Sequence, residues 1–250
     1  MRYLLLITVC VLAQAASCQE ENKAPWAVTE VHREVPKVTP SVDHSAPSDA
    51  IVLFDGSSTD EWQKAPNKDV QGSESIAWNI EGEDLVVNPR TGSIVTKKSF
   101  GDVQLHIEWN APVADGKSGQ GYSNSGVFFM GKYEVQVLNS YDSETYANGQ
   151  ASSVYKQHIP MVNASRPPGT WQSYDIVFMA PRFSEKGTLV SPARVTVFHN
   201  GILTQNNVEL LGPTQFIGVP SYEAHEQKLP LSLQDHGDPV RFRNIWIREL

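Results

Sequence analysis

A carboxylate and an amide stand two residues apart in the run from Asn124 to Leu138, Asn-Ser-Gly-Val-Phe-Phe-Met-Gly-Lys-Tyr-Glu-Val-Gln-Val-Leu. Two β-prone stretches flank Gly131-Lys132, which predicts a hairpin with a tight turn. Alternation along the second strand places Glu134 and Gln136 on one face and their apolar neighbours on the other. A carboxylate beside an amide can accept or deliver a proton and orient a polar ligand.

The register of this hairpin decides what lies across from the polar pair. A two-residue turn places Glu134 opposite Phe129 and Gln136 opposite Val127. The first strand opens with the small residues Asn124-Ser125-Gly126, which leave room for another group to approach the backbone closely.

Other predicted strands carry residues suited to acid–base chemistry. Glu108 alternates with apolar residues in one strand, and Gln234 and His236 share a side before Gly237. A curved β-sandwich would gather a carboxylate, an imidazole and several amides on one concave face: Glu108, Glu134, Gln136, Gln234 and His236. A one-residue slip of any strand would reverse its contribution.

The fold class follows from about a dozen short β-prone runs between turn signals, without a sustained helical period. We predict one all-β domain over residues 51–250, a jelly-roll sandwich of two antiparallel sheets. The stretch from Asn139 to Thr170 has little strand pattern, and loops of this length are often functional. Its Tyr155, Lys156 and His158 would border a pocket, unless the loop packs only on itself.

Composition limits the partners. The 250 residues are 19% charged and 40% hydrophobic, with a formal net charge of -8, which is typical of a soluble globular protein. The acidic balance and the lack of a clustered basic patch argue against nucleic acid. A neutral sugar or another small molecule fits better.

The N-terminus predicts export. Residues 1–18 contain a positive start, a short apolar core and small residues, as in a signal peptide. Ala15-Ala16-Ser17-Cys18 resembles a lipobox, so we expect a cell-envelope lipoprotein acylated at Cys18 that meets the membrane only through this anchor. Simple cleavage near Ala15 is the alternative. Residues 19–50 are rich in Pro and polar residues, which predicts a flexible linker, although Trp26 and nearby valines could add an edge strand.

An ordered set of motifs across residues 51–250 resembles the 3-keto-disaccharide hydrolase domain family. The motifs are Phe54-Asp55-Gly56 with Trp62, Asn124-Ser125-Gly126, Tyr133-Glu134-Val135-Gln136, Val154-Tyr155-Lys156, Pro168-Gly169-Thr170-Trp171, His199-Asn200-Gly201, Leu233-Gln234-Asp235-His236-Gly237 and Phe242-Arg243-Asn244-Ile245. The resemblance implies a concanavalin A-like jelly roll, often on exported bacterial proteins. It also implies cleavage of glycosides oxidised to a ketone at sugar carbon 3.

One departure from the family concerns Asn139, where the family often has Asp. If that carboxylate matters to catalysis, this chain is altered or inactive. The run from Glu134 to Asn139 also parallels the Glu-x-Asp-x-x-Glu strand of laminarinase-type glucanases, but two of the three carboxylates are amides here. An amide cannot attack or protonate a sugar, so ordinary double displacement is disfavoured.

The implied chemistry is elimination followed by hydration. A ketone at carbon 3 acidifies the hydrogen on carbon 2, so one base, one acid and donors for the enolate oxygen suffice. We expect Glu134 or Glu108 as the base and His236 as the acid, with the two roles open to exchange. The candidate substrate-binding residues are Asn124, Gln136, Gln234, Arg243, Tyr155 and Lys156.

Alternatives remain beside this hypothesis. Glu108, His236 and Arg243 each have a structural interpretation as exposed polar, turn-binding or ion-pairing residues. No cofactor is required, although a divalent metal held by His106, Glu108, Glu134 and His236 would polarise the ketone. The main rival function is a non-catalytic carbohydrate-binding module on the same fold, and a structural surface protein is a third.

Overall fold

The computed structural model describes residues 34–66, 75–114 and 116–250. The chain divides into residues 1–37, of which only the exposed residues 34–37 are described, and a compact unit from Val38 to Leu250. The predicted signal peptide and residues 19–33 of the predicted linker therefore lie outside the described residues. No described helix has the length and apolarity needed to cross a membrane.

The described part of the compact unit is built from fifteen strands and two short 3-10 turns, Gly119–Gly121 and Ala147–Gly149. The strands are β1 (Ile51–Phe54), β2 (Trp62–Lys64), β3 (Asn79–Glu81), β4 (Asp84–Val86), β5 (Ile94–Phe100), β6 (Val103–Asn110), β7 (Ser125–Phe129), β8 (Tyr133–Val137), β9 (Trp171–Met179), β10 (Arg182–Phe183), β11 (Leu189–Ser191), β12 (Arg194–His199), β13 (Ile202–Glu209), β14 (Leu229–Leu233) and β15 (Arg241–Glu249).

Two antiparallel sheets form a sandwich, as the sequence predicts. The large sheet has the order β13-β12-β9-β6-β15-β4-β3, with β1 also paired to β15, and the small sheet has the order β2-β5-β14-β7-β8. Strands β10 and β11 form a separate two-stranded ribbon. Phe129 of the small sheet stacks on Phe178 of the large sheet with 4.7 Å between ring centroids, so the core lies between the sheets.

Alternation decides which face of each sheet is apolar. In β6, Leu105, Ile107 and Trp109 are buried in the core, and the residues between them point to the opposite face. In β8, Tyr133 and Val135 belong to the same core. The polar residues of β6 and β8 consequently point away from the core in opposite directions.

The β7–β8 hairpin differs from the predicted register by one residue. Its loop is Met130–Lys132, because Glu134 pairs with Phe128 and Gln136 pairs with Gly126. The first two loop residues have φ values of 56° and 63°, and Lys132 is the third loop residue, which shifts the register from that of the predicted two-residue turn.

The compact unit begins before the predicted boundary at residue 50. Within residues 38–50, the His44 carbonyl accepts hydrogen bonds from Asn244 Nδ2 at 3.0 Å and from Trp246 Nε1 at 2.9 Å. Both donors belong to β15, so this segment is packed on the large sheet. The prediction of a flexible linker is wrong for these residues.

The long loop between β8 and β9 packs against β8. The Gln136 N–H donates to the Ser153 carbonyl and the Ser152 N–H donates to the Gln136 carbonyl, both at 3.0 Å. The Tyr155 N–H donates to the Glu134 carbonyl at 3.3 Å. Strand β8 is therefore held by β7 on one edge and by this loop on the other.

Candidate active site

A cavity of about 250 Å³ opens on the outer face of the small sheet; we call it the central chamber. Its lining residues are Asn124, Phe128, Glu134, Gln136, Tyr155, Thr214, Phe216, Gln234 and His236. Six of the nine predicted site residues are among them. The structure thus brings the predicted carboxylate and the predicted imidazole, Glu134 and His236, to one cavity.

Glu134 is a deeply buried carboxyl group. Only 4% of the residue is exposed, and this burial raises the pKa of its carboxyl group to about 8. Its backbone N–H donates to Thr214 Oγ1 at 3.0 Å, and its carbonyl accepts from Tyr155. Hydrogen bonds therefore hold the backbone of Glu134 on both sides, and the pKa of its carboxyl group is close to neutrality.

Gln136 is the hydrogen-bond partner of Glu134. With its amide nitrogen turned towards Glu134, it donates to Glu134 Oε1 at 2.9 Å and to the Ser125 carbonyl at 3.0 Å. This orientation lets the amide nitrogen donate where only acceptors surround it, so Gln136 is a hydrogen-bond donor to the Glu134 carboxyl group.

Gly126 makes room for the Glu134 carboxyl group. A Cβ atom at Gly126 would lie 2.5 Å from Glu134 Oε1 and 2.7 Å from Phe128 Cε2, so these side chains would have to shift. The small residues Asn124-Ser125-Gly126 do leave room for another group close to the backbone, as the sequence predicts. That group is the carboxyl of Glu134 itself.

Gln234 and His236 follow β14 and present polar groups to the central chamber. The Gln234 backbone is fixed by its N–H bond to the Gly126 carbonyl and by Ser125 Oγ, which donates to its carbonyl at 2.6 Å. Gln234 Oε1 is buried and has no partner among the described residues. Buried polar atoms are normally paired, so a ligand hydroxyl that donates to this amide oxygen would complete the site.

Two further cavities adjoin the central chamber. The aromatic chamber, about 360 Å³, is lined by Gln120, Asn124, Tyr146, Tyr155, Phe216 and His236. The charged chamber, about 580 Å³, includes Arg90, Lys117, Asp235, His236 and Asp238. His236 lines all three chambers and so stands at their junction.

Glu108 and Arg243 lie elsewhere, so the predicted gathering on one face is wrong for Glu108. Glu108 is on β6 of the large sheet, where it points away from the core on the side opposite to Glu134. Arg243 Nε lies 2.7 Å from Glu108 Oε2, and its guanidinium lies 4.0 Å from the centroid of the Trp171 ring. Alternation placed Glu108 on a polar face, but β6 belongs to the other sheet.

Glu108 takes part in a polar network on this outer face. His106 Nδ1 lies 2.7 Å from Asp175 Oδ1, and Asn244 Nδ2 donates to Glu108 Oε1 at 3.0 Å. Burial would raise the pKa of Glu108, but hydrogen bonds from His106, Asn244 and Arg243 lower it to about 2. Burial would lower the pKa of His106, but Asp175 and Glu108 raise it. The network binds strands β6, β9 and β15 together.

The structure separates the predicted metal ligands, because His106 and Glu108 lie on one outer face and Glu134 and His236 on the other. A different group, His44, His106 and Asp175, has ligand atoms within 4.8 Å of one another. The His44 and His106 rings, however, are stacked with 13° between their planes. Nitrogen lone pairs lie in the ring planes, so two parallel rings do not aim at one ion.

Two sequence predictions concern the loop that follows β8. The Lys156 ammonium lies 3.9 Å from the centroid of the Tyr146 ring, at the border of the aromatic chamber. Asn139 is buried and accepts from the Tyr141 N–H at 3.4 Å, and it lines none of the chambers formed by the described residues. The amide at this position is therefore not part of the acid–base site.

Sequence reasoning missed several lining residues. Thr214 and Phe216 lie in a Gly- and Pro-rich loop after β13. Gln120 lies in the 3-10 turn Gly119–Gly121, and Tyr146 immediately precedes the 3-10 turn Ala147–Gly149. None belongs to a strand, so alternation could not assign a face to them. The spacing of Tyr146 and Tyr155 within one long loop was the available signal.

Comparison with known proteins places this architecture among glycoside-acting proteins. A family model described as a 3-keto-alpha-glucoside-1,2-lyase-like domain matches residues 49–248. A curated protein of Bacteroides thetaiotaomicron named 3-keto-disaccharide hydrolase is 24% identical over 294 residues, covering 98% of this chain and 94% of the relative.

Solved structures show the same fold. A structure from Parabacteroides distasonis, provisionally described as a glycosyl hydrolase, is 44% identical and has a TM-score of 0.81, covering 89% of this chain and 95% of the other. A second from the same organism, with the same provisional description, is 19% identical with a TM-score of 0.58, covering 86% and 100% of the two chains.

Proposed function

Because this chain belongs to the 3-keto-alpha-glucoside-1,2-lyase-like domain family, we propose that it is a glycoside-acting enzyme that cleaves 3-keto-glucosides by elimination and hydration. The observation that carries this proposal is the pairing of a buried carboxyl group, Glu134, with the imidazole of His236 in one cavity. A module that only binds sugar has no need for an acid and a base around one ligand.

The first half of the reaction breaks the glycosidic bond. The Glu134 carboxylate removes the proton from carbon 2 of the 3-keto sugar, and the electron pair forms a double bond between carbons 1 and 2. The bond from carbon 1 to the aglycone oxygen breaks, and protonated His236 gives its proton to that oxygen. A base is most effective when its pKa is near the working pH, and burial places the pKa of Glu134 at about 8.

The second half adds water. Neutral His236 takes a proton from a water molecule that attacks carbon 1. The proton on Glu134 exchanges with solvent once the aglycone has left, and protonated Glu134 then delivers a proton to carbon 2. Both groups recover their starting protonation states, and the net reaction is hydrolysis.

The lining of the central chamber favours this route over double displacement. A retaining glycosidase uses two carboxyl groups about 5–5.5 Å apart. Among the residues that line the central chamber, Glu134 supplies the single carboxyl group. Elimination needs one carboxylate, an acid and donors for the enolate oxygen, and the amide nitrogen of Gln234, a lining residue of the same chamber, is our candidate for the last role.

The direct test uses the full chain with a 3-keto-glucoside and with the same glucoside before oxidation. We expect release of the aglycone from the 3-keto-glucoside alone. Glu134→Gln should lower kcat/KM by at least about 100-fold, because the amide cannot accept the carbon 2 proton. Glu108→Gln, the matched substitution on the opposite face, should retain turnover. Binding of the sugar without turnover by the unaltered chain would favour a carbohydrate-binding module instead.

We also propose export and lipid anchoring at Cys18, on the strength of the N-terminal sequence. Expression of the full chain in a bacterium that receives labelled palmitate should yield a labelled, membrane-associated protein. Cys18→Ser should abolish the label. A wild-type protein that is exported without label would indicate simple cleavage.

A further inference from the structure

The aromatic chamber is the natural continuation of the central chamber. The two share Asn124, Tyr155, Phe216 and His236, whereas the charged chamber shares His236 alone with the central chamber. The central chamber, at about 250 Å³, is smaller than the roughly 300–1,000 Å³ of sites that enclose a drug-sized ligand. A glycoside whose sugar ring lies over Glu134 must therefore extend into an adjoining chamber, and the aromatic chamber offers the wider junction.

Apart from His236, which we assign to the reaction, the polar side chains that line the aromatic chamber already have partners within the protein. The hydroxyl oxygens of Tyr146 and Tyr155 are hydrogen-bonded at 2.5 Å. Gln120 Nε2 donates to Thr145 Oγ1 at 2.9 Å and to the Gly149 carbonyl at 2.8 Å. Asn124 Nδ2 donates to the Gln120 carbonyl at 2.9 Å. A sugar hydroxyl would find few free partners here, so the aromatic rings are the surface that remains for a ligand.

Phe216 supplies the most exposed of these rings. It is 69% exposed although it lines both the central and the aromatic chamber. A large apolar ring beside a cavity offers a face on which a flat ligand can stack. The ammonium of Lys156, 5.5 Å from the centroid of the Phe216 ring, adds a positive charge that disfavours a cationic ligand.

We propose that the aromatic chamber binds the leaving group and selects 3-keto-glucosides with a flat, uncharged or anionic aromatic aglycone, with Phe216 as the specificity-determining residue. This inference rests on the proposed function of the central chamber. In this arrangement the sugar lies in the central chamber, beside Glu134, and the aglycone lies in the aromatic chamber, beside Tyr146 and Tyr155.

The test compares benzyl, cyclohexylmethyl and glucosyl 3-keto-glucosides with the full chain. The benzyl and cyclohexylmethyl groups both leave as simple primary alcohols of similar reactivity, while only the benzyl group is flat and aromatic; the glucosyl substrate represents a sugar aglycone. We expect kcat/KM for the benzyl substrate to exceed that for the other two by about 2- to 10-fold, the range that aromatic stacking supplies. Phe216→Ala should reduce this preference to near unity, and Phe216→Tyr should restore it.

Ile217→Ala is the matched control, because Ile217 is 81% exposed in the same loop and does not line the described chambers. It should leave the preference unchanged. Equal or better cleavage of the glucosyl substrate by the unaltered chain, or an equal loss on all three substrates in Phe216→Ala, would overturn the inference while leaving the proposed function intact. Cleavage of none of the three would overturn the proposed function itself.

Discussion

At the scale of single residues, the site depends on a carboxyl group that is hard to ionise. Glu134 is removed from water by the sheet below it and by the loop beside it. Gln136 donates a hydrogen bond to it, and Gly126 leaves the space that it fills. Burial raises the pKa of this carboxyl group to about 8, close to neutral pH.

The pKa of Glu134 predicts a pH dependence of stability. Between about pH 4.5 and pH 8 the folded carboxyl holds a proton that the unfolded chain has released, so stability falls as pH rises through this window. Glu134→Gln removes this dependence. From pH 5 to pH 9 the free energy of unfolding of the unaltered chain should drop by about 2–4 kcal/mol relative to that of the variant, as measured by urea unfolding. A constant difference across this range would show that Glu134 is ionised normally.

Gly126→Ala tests the fit between the two strands of the hairpin. The new Cβ would meet Glu134 Oε1 at 2.5 Å and would displace the carboxyl group. A misplacement of about 1 Å can cost on the order of 100-fold in rate, so kcat/KM should fall by about that factor. The near-UV circular dichroism spectrum should be retained, because the φ of Gly126 is outside the left-handed region. Full activity in a folded variant would contradict the placement of Glu134.

Residue types and alternation were sufficient to predict Glu134, Gln136, Gln234 and His236 at one site. They could not predict that Gly126 makes room for the Glu134 carboxyl group, since this depends on the hairpin register, which a third loop residue shifts by one. They also could not predict the raised pKa of Glu134, because it results from burial by the segment around Tyr155, which is distant in sequence.

At the scale of elements, similar polar residues have different roles in the two sheets. Strand β8 carries Glu134 to the cavity, whereas β6 carries Glu108 to a network with Arg243 and Asn244 that joins β6 to β15. Alternation identifies the polar face of a strand but not the sheet to which the strand belongs. This is why the sequence pointed to Glu108 as a catalytic residue.

Glu108→Gln should weaken the fold rather than the chemistry. Its low pKa, about 2, means that the folded state favours the carboxylate, and this stabilisation is present above about pH 4.5 and lost as pH falls towards 2. Because the Arg243 side chain is 38% exposed, solvent screening limits the expected loss at pH 7 to about 1–3 kcal/mol. Urea unfolding should show a smaller difference between the two proteins at pH 3 than at pH 7. Equal stability at both pH values would indicate that the network contributes nothing.

At the scale of the whole molecule, the proposed active site and the polar network of Glu108 lie on opposite outer faces of the sandwich. The small sheet and its loops form the three chambers, and the outer face of the large sheet is covered in part by residues 38–50. Twelve of the fifteen described strands were predictable from turn signals and β-prone runs, but β2, β10 and β11 and the order of strands within each sheet were not. The packing of residues 38–50 was also not predictable, because these residues bind through the His44 carbonyl and lack an apolar pattern.

Deletion of residues 38–49 from the full chain tests this packing. The change removes the hydrogen bonds that the His44 carbonyl accepts and the ion pair between Asp49 and Arg248. The free energy of unfolding should fall by about 1–2 kcal/mol, given about 1 kcal/mol for each of the two hydrogen bonds to the His44 carbonyl. An unchanged unfolding midpoint would mean that this segment adds nothing to the sandwich.

The central claim is that Glu134 and His236 act on one sugar, with the carbon 2 proton removed before the glycosidic bond breaks. The most direct measurement is the cleavage of a 3-keto-glucoside in deuterated water, with nuclear magnetic resonance of the released 3-keto-glucose at early times. Free 3-keto-glucose incubated with Glu134→Gln measures the background exchange. We predict deuterium at carbon 2 in excess of this background; product that retains hydrogen at carbon 2 would contradict the account.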